Sequence, residues 1–236
     1  MNANTASEDS NLTNDLSSSS LEDAKDFANT WFGAWEKRDL NEIVAPFTDD
    51  VEFHSPLVEK ITGDPSGVVH DNATLRQYFQ AALSAYPKID KEIYDVLVGA
   101  ESIAVYYKSV NDLMSCEIFF GEMHGGSFRC QKVLNNYRDQ DVAVEDSSSL
   151  ANAWIRAWNT RHFDSFRKYL AVDVSLTSPF LKDSSKLATL AGKDEVVGYF
   201  ESVLERRNEM RFEMVDSLVG KDSMAVLYDV DGKSRE

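Results

Sequence analysis

Glu117 stands in an otherwise apolar run, Cys116-Glu-Ile-Phe-Phe120. Successive side chains of a β-strand point to opposite faces, so parity leaves two outcomes. If Glu117 faces inward with Phe119, burial raises its pKa and makes it a proton-shuttling or hydrogen-bonding group. If Cys116 and Ile118 face inward, it is a solvated charge on the outer face. His54 and Ser55 adjoin like a base and a nucleophile, but strand neighbours diverge and cannot form a dyad. With Phe53 and Ser55 inward, His54 lies on the outer face. His70, His124 and His162 have no carboxylate or cysteine partners at ligand spacing, so no metal site is expected, and no cofactor. Cys116 and Cys130 lack the pairing of a zinc site and are too few for a disulfide framework, which leaves free, partly buried thiols. Tyr78, Tyr94 and Tyr107 either offer hydroxyls or serve as half-buried core aromatics with wet tips.

The elements that must position these residues follow from periodicity. Phe27, Trp31 and Trp35 recur at i, i+4 and i+8, one face of a helix. A short helix at 40–44 and a strand at 51–55, ended by Pro56, come next. Leu75, Tyr78, Phe79, Ala82, Leu83 and Tyr86 again keep helical spacing until Pro87 stops them. Four strand candidates follow at 92–98, 103–110, 114–120 and 128–136, with Gly99 and Gly125-Gly126 as turns. Helices first and strands afterwards describe an α+β fold, helices covering one face of a curved, mainly antiparallel sheet.

The same order then returns. Trp31-Phe-Gly-Ala-Trp35 recurs 123 positions later as Trp154-Ile-Arg-Ala-Trp158, and Asp50–Pro56 falls on Asp173–Pro179. After a loop change the shift becomes 121, pairing Tyr78-Phe79 with Tyr199-Phe200, Leu97-Val98-Gly99 with Leu218-Val219-Gly220, and Tyr107 with Tyr228. The second copy is therefore expected to lack the last two strands of the first. Its strand at 224–230 must then be covered by the first copy, another chain or nothing. The domain reading is a disordered tail at 1–20, a first domain at 21–138, an acidic, serine-rich linker at 139–149, and a second domain at 150–236.

Composition narrows the partners. The 236 residues carry a net charge of -16, a field that repels phosphate backbones and anionic lipid surfaces, so neither nucleic acid nor membrane is an expected partner. No apolar run reaches the length of a membrane span and no secretory signal opens the chain, which makes the cytoplasm the default location.

The order of elements resembles the nuclear transport factor 2-like superfamily, and in particular its SnoaL-like members. The residues that carry the likeness are Asp49-Asp-Val-Glu-Phe-His-Ser55-Pro56, the loop Gly63-Asp-Pro-Ser-Gly67 and the strand end Val96-Leu-Val-Gly99. The resemblance implies a cone in which a bent sheet wraps helices around an apolar pocket, with Trp31, Phe53, Ser55, Tyr78 and Tyr107 as substrate-binding candidates and Glu117 as catalytic acid or base. It also implies a rim-loop role for residues 63–67 and pairing through open sheet faces, here as an internal pseudo-dimer or a homodimer. Its members include isomerases, cyclases, dehydratases and non-enzymatic binding modules, so fold alone assigns no activity. The chain departs from the isomerase pattern, which sets a catalytic Asp just before the strand-ending proline. Ser55 and Ser178 stand there, and neither takes a proton from carbon without a second base. Trp31 and Trp154 replace the aromatic oxyanion donor; Trp31 and Trp35 either stack on a ligand or fill the core.

Overall fold

The structure is a computed structural model that describes residues 18–89, 91–99, 101–124, 127–138, 145–183, 186–207 and 209–230. Helix α1 (Ser18–Lys37) buries the face bearing Ala24, Ala28, Trp31 and Trp35. It begins inside the segment expected to be a tail, residues 1–17 of which lie outside the described residues. The Asp39 carboxylate caps α2 (Leu40–Val44), accepting from the N–H groups of Asn41 at 3.0 Å and Glu42 at 3.1 Å.

Strand β1 (Phe47–His54) leads directly into a helix that periodicity did not announce, α3 (Pro56–Thr62). The local signals for it are all present. Ser55 Oγ accepts from the Leu57 N–H at 3.2 Å, Pro56 occupies the first turn, and Gly63 ends the helix at φ 78°. Pro56 thus starts a helix as well as ending a strand. Strand β2 (Val68–His70) pairs back on β1, and Asp71 caps the long helix α4 (Asn72–Ala85) by accepting from the Thr74 N–H at 2.7 Å.

Four antiparallel strands close the first copy: β3 (Glu92–Val98), β4 (Ser102–Lys108), β5 (Met114–His124) and β6 (Ser127–Tyr137), with β6 also parallel to β1. The sheet order is β2-β1-β6-β5-β4-β3. A register shift at Phe120/Gly121 bends the β5–β6 hairpin; a Cβ on Gly121 would lie 2.0 Å from the Arg129 carbonyl oxygen, so only glycine fits the bend. The expected turn at Gly125-Gly126 lies outside the described residues.

The second copy repeats this order through α5 (Glu145–Thr160), α6 (Asp164–Arg167), β7 (Ser175–Asp183), β8 (Lys186–Ala191), α7 (Lys193–Arg206), β9 (Phe212–Val219) and β10 (Met224–Val230). Helix α5 starts within the stretch read as a linker, since acidic residues suit a helix N-terminus as well as they suit a loop. Among the described residues, nothing in the second copy corresponds to α3. The two-residue fall in the repeat shift lies there, and the Ser178-Pro179 pair sits inside β7, which runs on to form a hairpin with β8. Strands β9 and β10 correspond to β3 and β4, and the counterparts of β5 and β6 are missing from the described residues.

Strand alternation gives the first-copy sheet two dry faces. Ile103, Val105, Tyr107, Glu117, Phe119 and Val133 are buried toward the helices. Ala104, Tyr106, Cys116 and Ile118 point the other way and pack on Leu218, Ala225 and Leu227 of the second copy. Polar contacts rim this seam: the Tyr106 hydroxyl donates to Asp216 at 2.7 Å, Arg138 pairs with the same carboxylate, and the Ser223 hydroxyl donates to Asn136 Oδ1 at 2.8 Å. Tyr137 meets Val219 strand to strand. The Gly63–Gly67 loop, expected at a pocket rim, sits at the edge of this seam, where Lys221 Nζ donates to the Pro65 carbonyl at 2.8 Å.

Leu218 is fully buried and Val215, on the same strand, is 50 % exposed. Leu218→Ala should cost about 2–4 kcal/mol and Val215→Ala no more than about 0.5 kcal/mol. Urea unfolding checks both; equal effects would mean that the seam contributes nothing to stability.

Candidate functional site

Parity settles Glu117. Strand β5 turns Ser115, Glu117 and Phe119 toward the helices, and Glu117 is 1 % exposed, opposite Val105 on β4 and Asn135 on β6. The Tyr107 hydroxyl donates to Glu117 Oε2 at 2.9 Å. Both side chains line a cavity in the first copy, together with Trp31, Trp35, Phe53 and Tyr78. Its interior offers about 50 Å³ to the centre of a water-sized sphere, several times the ~10–15 Å³ that one water needs. Helix α3 supplies one wall through Leu57 and Ile61.

Of the residues singled out from sequence, Trp31, Phe53, Tyr78, Tyr107 and Glu117 therefore border one space, whereas Ser55 stands behind it. The Ser55 hydroxyl is fully buried and caps α3. Trp31 offers the cavity a ring face only, because its indole N–H donates to the Ile43 carbonyl at 2.9 Å. The indole N–H of Trp35 is buried without a partner. Tyr94 lies on the outside, 50 % exposed. His54 does face outward, but the second copy covers it: Nδ1 stands 3.2 Å from an Asp222 carboxylate oxygen. Both cysteines are free and buried, and burial pushes each thiol up to about 12.

Sequence reasoning missed Lys91, Asn135 and Tyr137. Lys91 comes from the loop between α4 and β3, which Arg38 fastens by donating to the carbonyl of Pro87 at 3.0 Å and to that of Leu83. The residue keeps some exposure, yet its ammonium is enclosed by aromatic rings, with centroids at 4.3 Å for Trp35, 4.9 Å for Phe32, 5.1 Å for Trp31 and 5.3 Å for Tyr107. Asn135 and Tyr137 extend the polar wall: the Ser115 hydroxyl donates to Asn135 Oδ1 at 2.8 Å, and Asn135 Nδ2 donates to the Tyr137 hydroxyl at 2.9 Å. A signal for Lys91 exists in the repeat, since the 121-residue shift sets it against Phe212.

Burial and charge act in opposition here. Desolvation pushes Glu117 up to about 7 against the pull of Lys91 and of the Tyr107 hydroxyl. It pushes Lys91 down to about 8, while Glu117 resists. Desolvation also raises Tyr78, Tyr107 and Tyr137, so their hydroxyls stay neutral donors near pH 7. The site thus combines an acid and a base whose proton affinities nearly meet, set in aromatic walls. Such a pair can exchange protons with a bound molecule near neutral pH. Among the described residues, no three His, Cys, Asp or Glu side chains gather as a metal group.

The SnoaL-like domain matches residues 28–129 and again 151–236, and the chain belongs to that family in tandem form. Among solved structures, a SnoaL-like protein of unknown function from Burkholderia thailandensis is 28% identical, with a TM-score of 0.46 over 50% of this chain and 96% of that one. A protein of unknown function with a cystatin-like fold from Nostoc punctiforme is 14% identical, with a TM-score of 0.44 over 55% of this chain and 98% of its own. A putative ketosteroid isomerase from Kribbella flavida is 19% identical, with a TM-score of 0.36 over 50% and 80%. None of the curated proteins matches the chain. No helix among the described residues is long and apolar enough to cross a membrane.

The raised affinity of Glu117 has a consequence for stability. In the unfolded chain the carboxyl ionises near 4.5 and in the fold near 7, so stability falls as pH rises from about 4.5 to 7. Lys91 acts on the other side, where stability recovers from about pH 8 toward 10.5. Glu117→Gln should remove the acidic limb, worth roughly 3 kcal/mol at most, and start the alkaline one at lower pH, because Glu117 no longer holds the Lys91 ammonium. Thermal unfolding of both proteins from pH 4.5 to 9 checks this; a constant difference between them would contradict it.

Proposed function

We propose that the first copy binds a small apolar molecule with at least one polar acceptor, and that Glu117 shuttles a proton to or from it in isomerase, cyclase or dehydratase chemistry. The observation that carries this reading is a buried carboxyl, bonded by a tyrosine and opposed by a lysine, on the wall of an aromatic cavity. A purely structural core gains nothing from such groups, because replacing a buried ionic pair by apolar side chains is often stabilising. The unpartnered Trp35 N–H adds a donor beside the cavity. Among the described residues the second copy shows neither a counterpart of α3 nor a strand that would carry a counterpart of Glu117, and the reading concerns residues 21–138.

Benzyl alcohol is a suitable probe, apolar with one hydroxyl. At 100 times its Kd it should add about 2.7 kcal/mol to the stability of the first copy, seen as a rise of a few degrees in Tm. Ala82 borders the cavity, and Ala82→Phe should abolish that rise by filling the space. An equal rise in both proteins would place the binding elsewhere.

The seam between copies favours a second, compatible reading, an internal pseudo-dimer. Under the 121-residue shift Ala104 corresponds to Ala225 and Tyr106 to Leu227, and all four lie in the seam. Use of the same positions from both sides is what a two-fold interface produces. The match is incomplete, since Leu97, the counterpart of the buried Leu218, is 38 % exposed. On this reading the outer face of the first sheet is occupied within the chain, which disfavours a role as a scaffold acting through that face. Light scattering should give a concentration-independent monomer of 26.6 kDa; a dimer growing with concentration would favour pairing between chains.

A further inference from the structure

Building on the pocket reading above, we propose that the molecule taken by the first copy is a small apolar aldehyde or ketone, and that Lys91 captures it as an imine. The repeat itself supplies the comparison that isolates Lys91. In the second copy Phe212 holds the equivalent position and stacks on Trp158 at 4.7 Å, where Lys91 lies over the equivalent Trp35 at 4.3 Å. A phenyl ring therefore satisfies the fold at this place. The first copy instead puts a primary amine there, on the cavity wall beside Glu117.

The surroundings select the electrophile. Aromatic rings enclose the amine, and Glu117 repels anions, so a neutral carbonyl compound with an apolar body suits the space. With Lys91 pushed down to about 8, about a tenth of it is free amine at pH 7, against a few ten-thousandths for a lysine at its ordinary value. In the reaction the Lys91 nitrogen bonds to the carbonyl carbon as the C=O π bond opens, and the oxygen takes the proton of the Glu117 carboxyl. The nitrogen gives up a proton to the Glu117 carboxylate. That proton then passes to the hydroxyl, which leaves as water while nitrogen and carbon form C=N as a protonated imine, and the remaining N–H proton returns to the Glu117 carboxylate. Amine and carbonyl become imine and water, with no change in oxidation state.

The test uses the full chain with benzaldehyde and sodium cyanoborohydride at pH 7, followed by proteolysis and mass spectrometry. Cyanoborohydride delivers hydride to the imine carbon and fixes an N-benzyl group on the lysine that formed it. The exposed Lys88, three residues away, is the internal reference. The N-benzyl adduct should form on Lys91 at least tenfold faster than on Lys88, and Glu117→Gln should slow it. Lys91→Phe, which installs the second copy's own residue, should fold and show no rapid adduct. Labelling of Lys91 no faster than that of Lys88 overturns the proposal. If benzyl alcohol still binds in that case, the pocket reading stands and only imine capture falls; if it does not, both fall.

Discussion

Cys116 and Glu117 are chain neighbours that point in opposite directions, and both are buried. That circumstance governs most of the molecule. A strand with two dry faces needs a cover on each. The helices of the first copy cover the face with Glu117, and β9 and β10 of the second copy cover the face with Cys116. Because the second cover belongs to the same chain, its effective concentration is set by the connection rather than by the amount of protein. The carboxylate of Asp216 then reads out correct docking, being the shared acceptor of Tyr106 and Arg138.

The inner face obeys a different economy. Enclosing the Lys91 ammonium costs on the order of 3 kcal/mol relative to a solvated lysine, and enclosing ionised Glu117 costs a similar amount. Each group offsets part of the other's cost, and four ring faces offset more for the cation. Phe212 shows the cheaper solution at the same position. Its stacking on Trp158 belongs to an aromatic cluster with Phe163 and Phe200 that needs no buried charge. The two copies thus solve one packing problem twice, once with a ring and once with an amine.

Much of this was legible in the sequence, for reasons that particular residues make plain. The spacing of Phe27, Trp31 and Trp35, the repeat of the tryptophan pair, and the strand at 92–98 all report a single dominant requirement, burial of one face. Strand parity at Glu117 was not legible, because β5 is apolar on both sides and alternation carries no information when both faces are covered. Helix α3 escaped for another reason. Its signals are the cap Ser55, Pro56 and Gly63, which are local, while its seven residues are too few to display a period. Lys91 escaped because a lysine beside Pro87 in a short connection reads as solvated surface. Only the cage of rings, assembled from α1 and β4, reveals its setting.

The losses in the second copy follow the same division between faces. Residues that serve the seam persist under the repeat, as Ala104 with Ala225. What the described residues of the second copy do not show is what builds the cavity of the first: the α3 wall, the amine at position 91 and the strand that bears Glu117. Outward Leu218, Ala225 and Leu227 are buried, and inward Phe212 and Tyr228 pack together with ring centroids 5.3 Å apart. The second copy therefore has the surface needed to dock and an aromatic core that includes Trp158, Phe163, Phe200 and Phe212. That aromatic core backs β9 and β10, the strands that cover the rear of the sheet carrying Glu117.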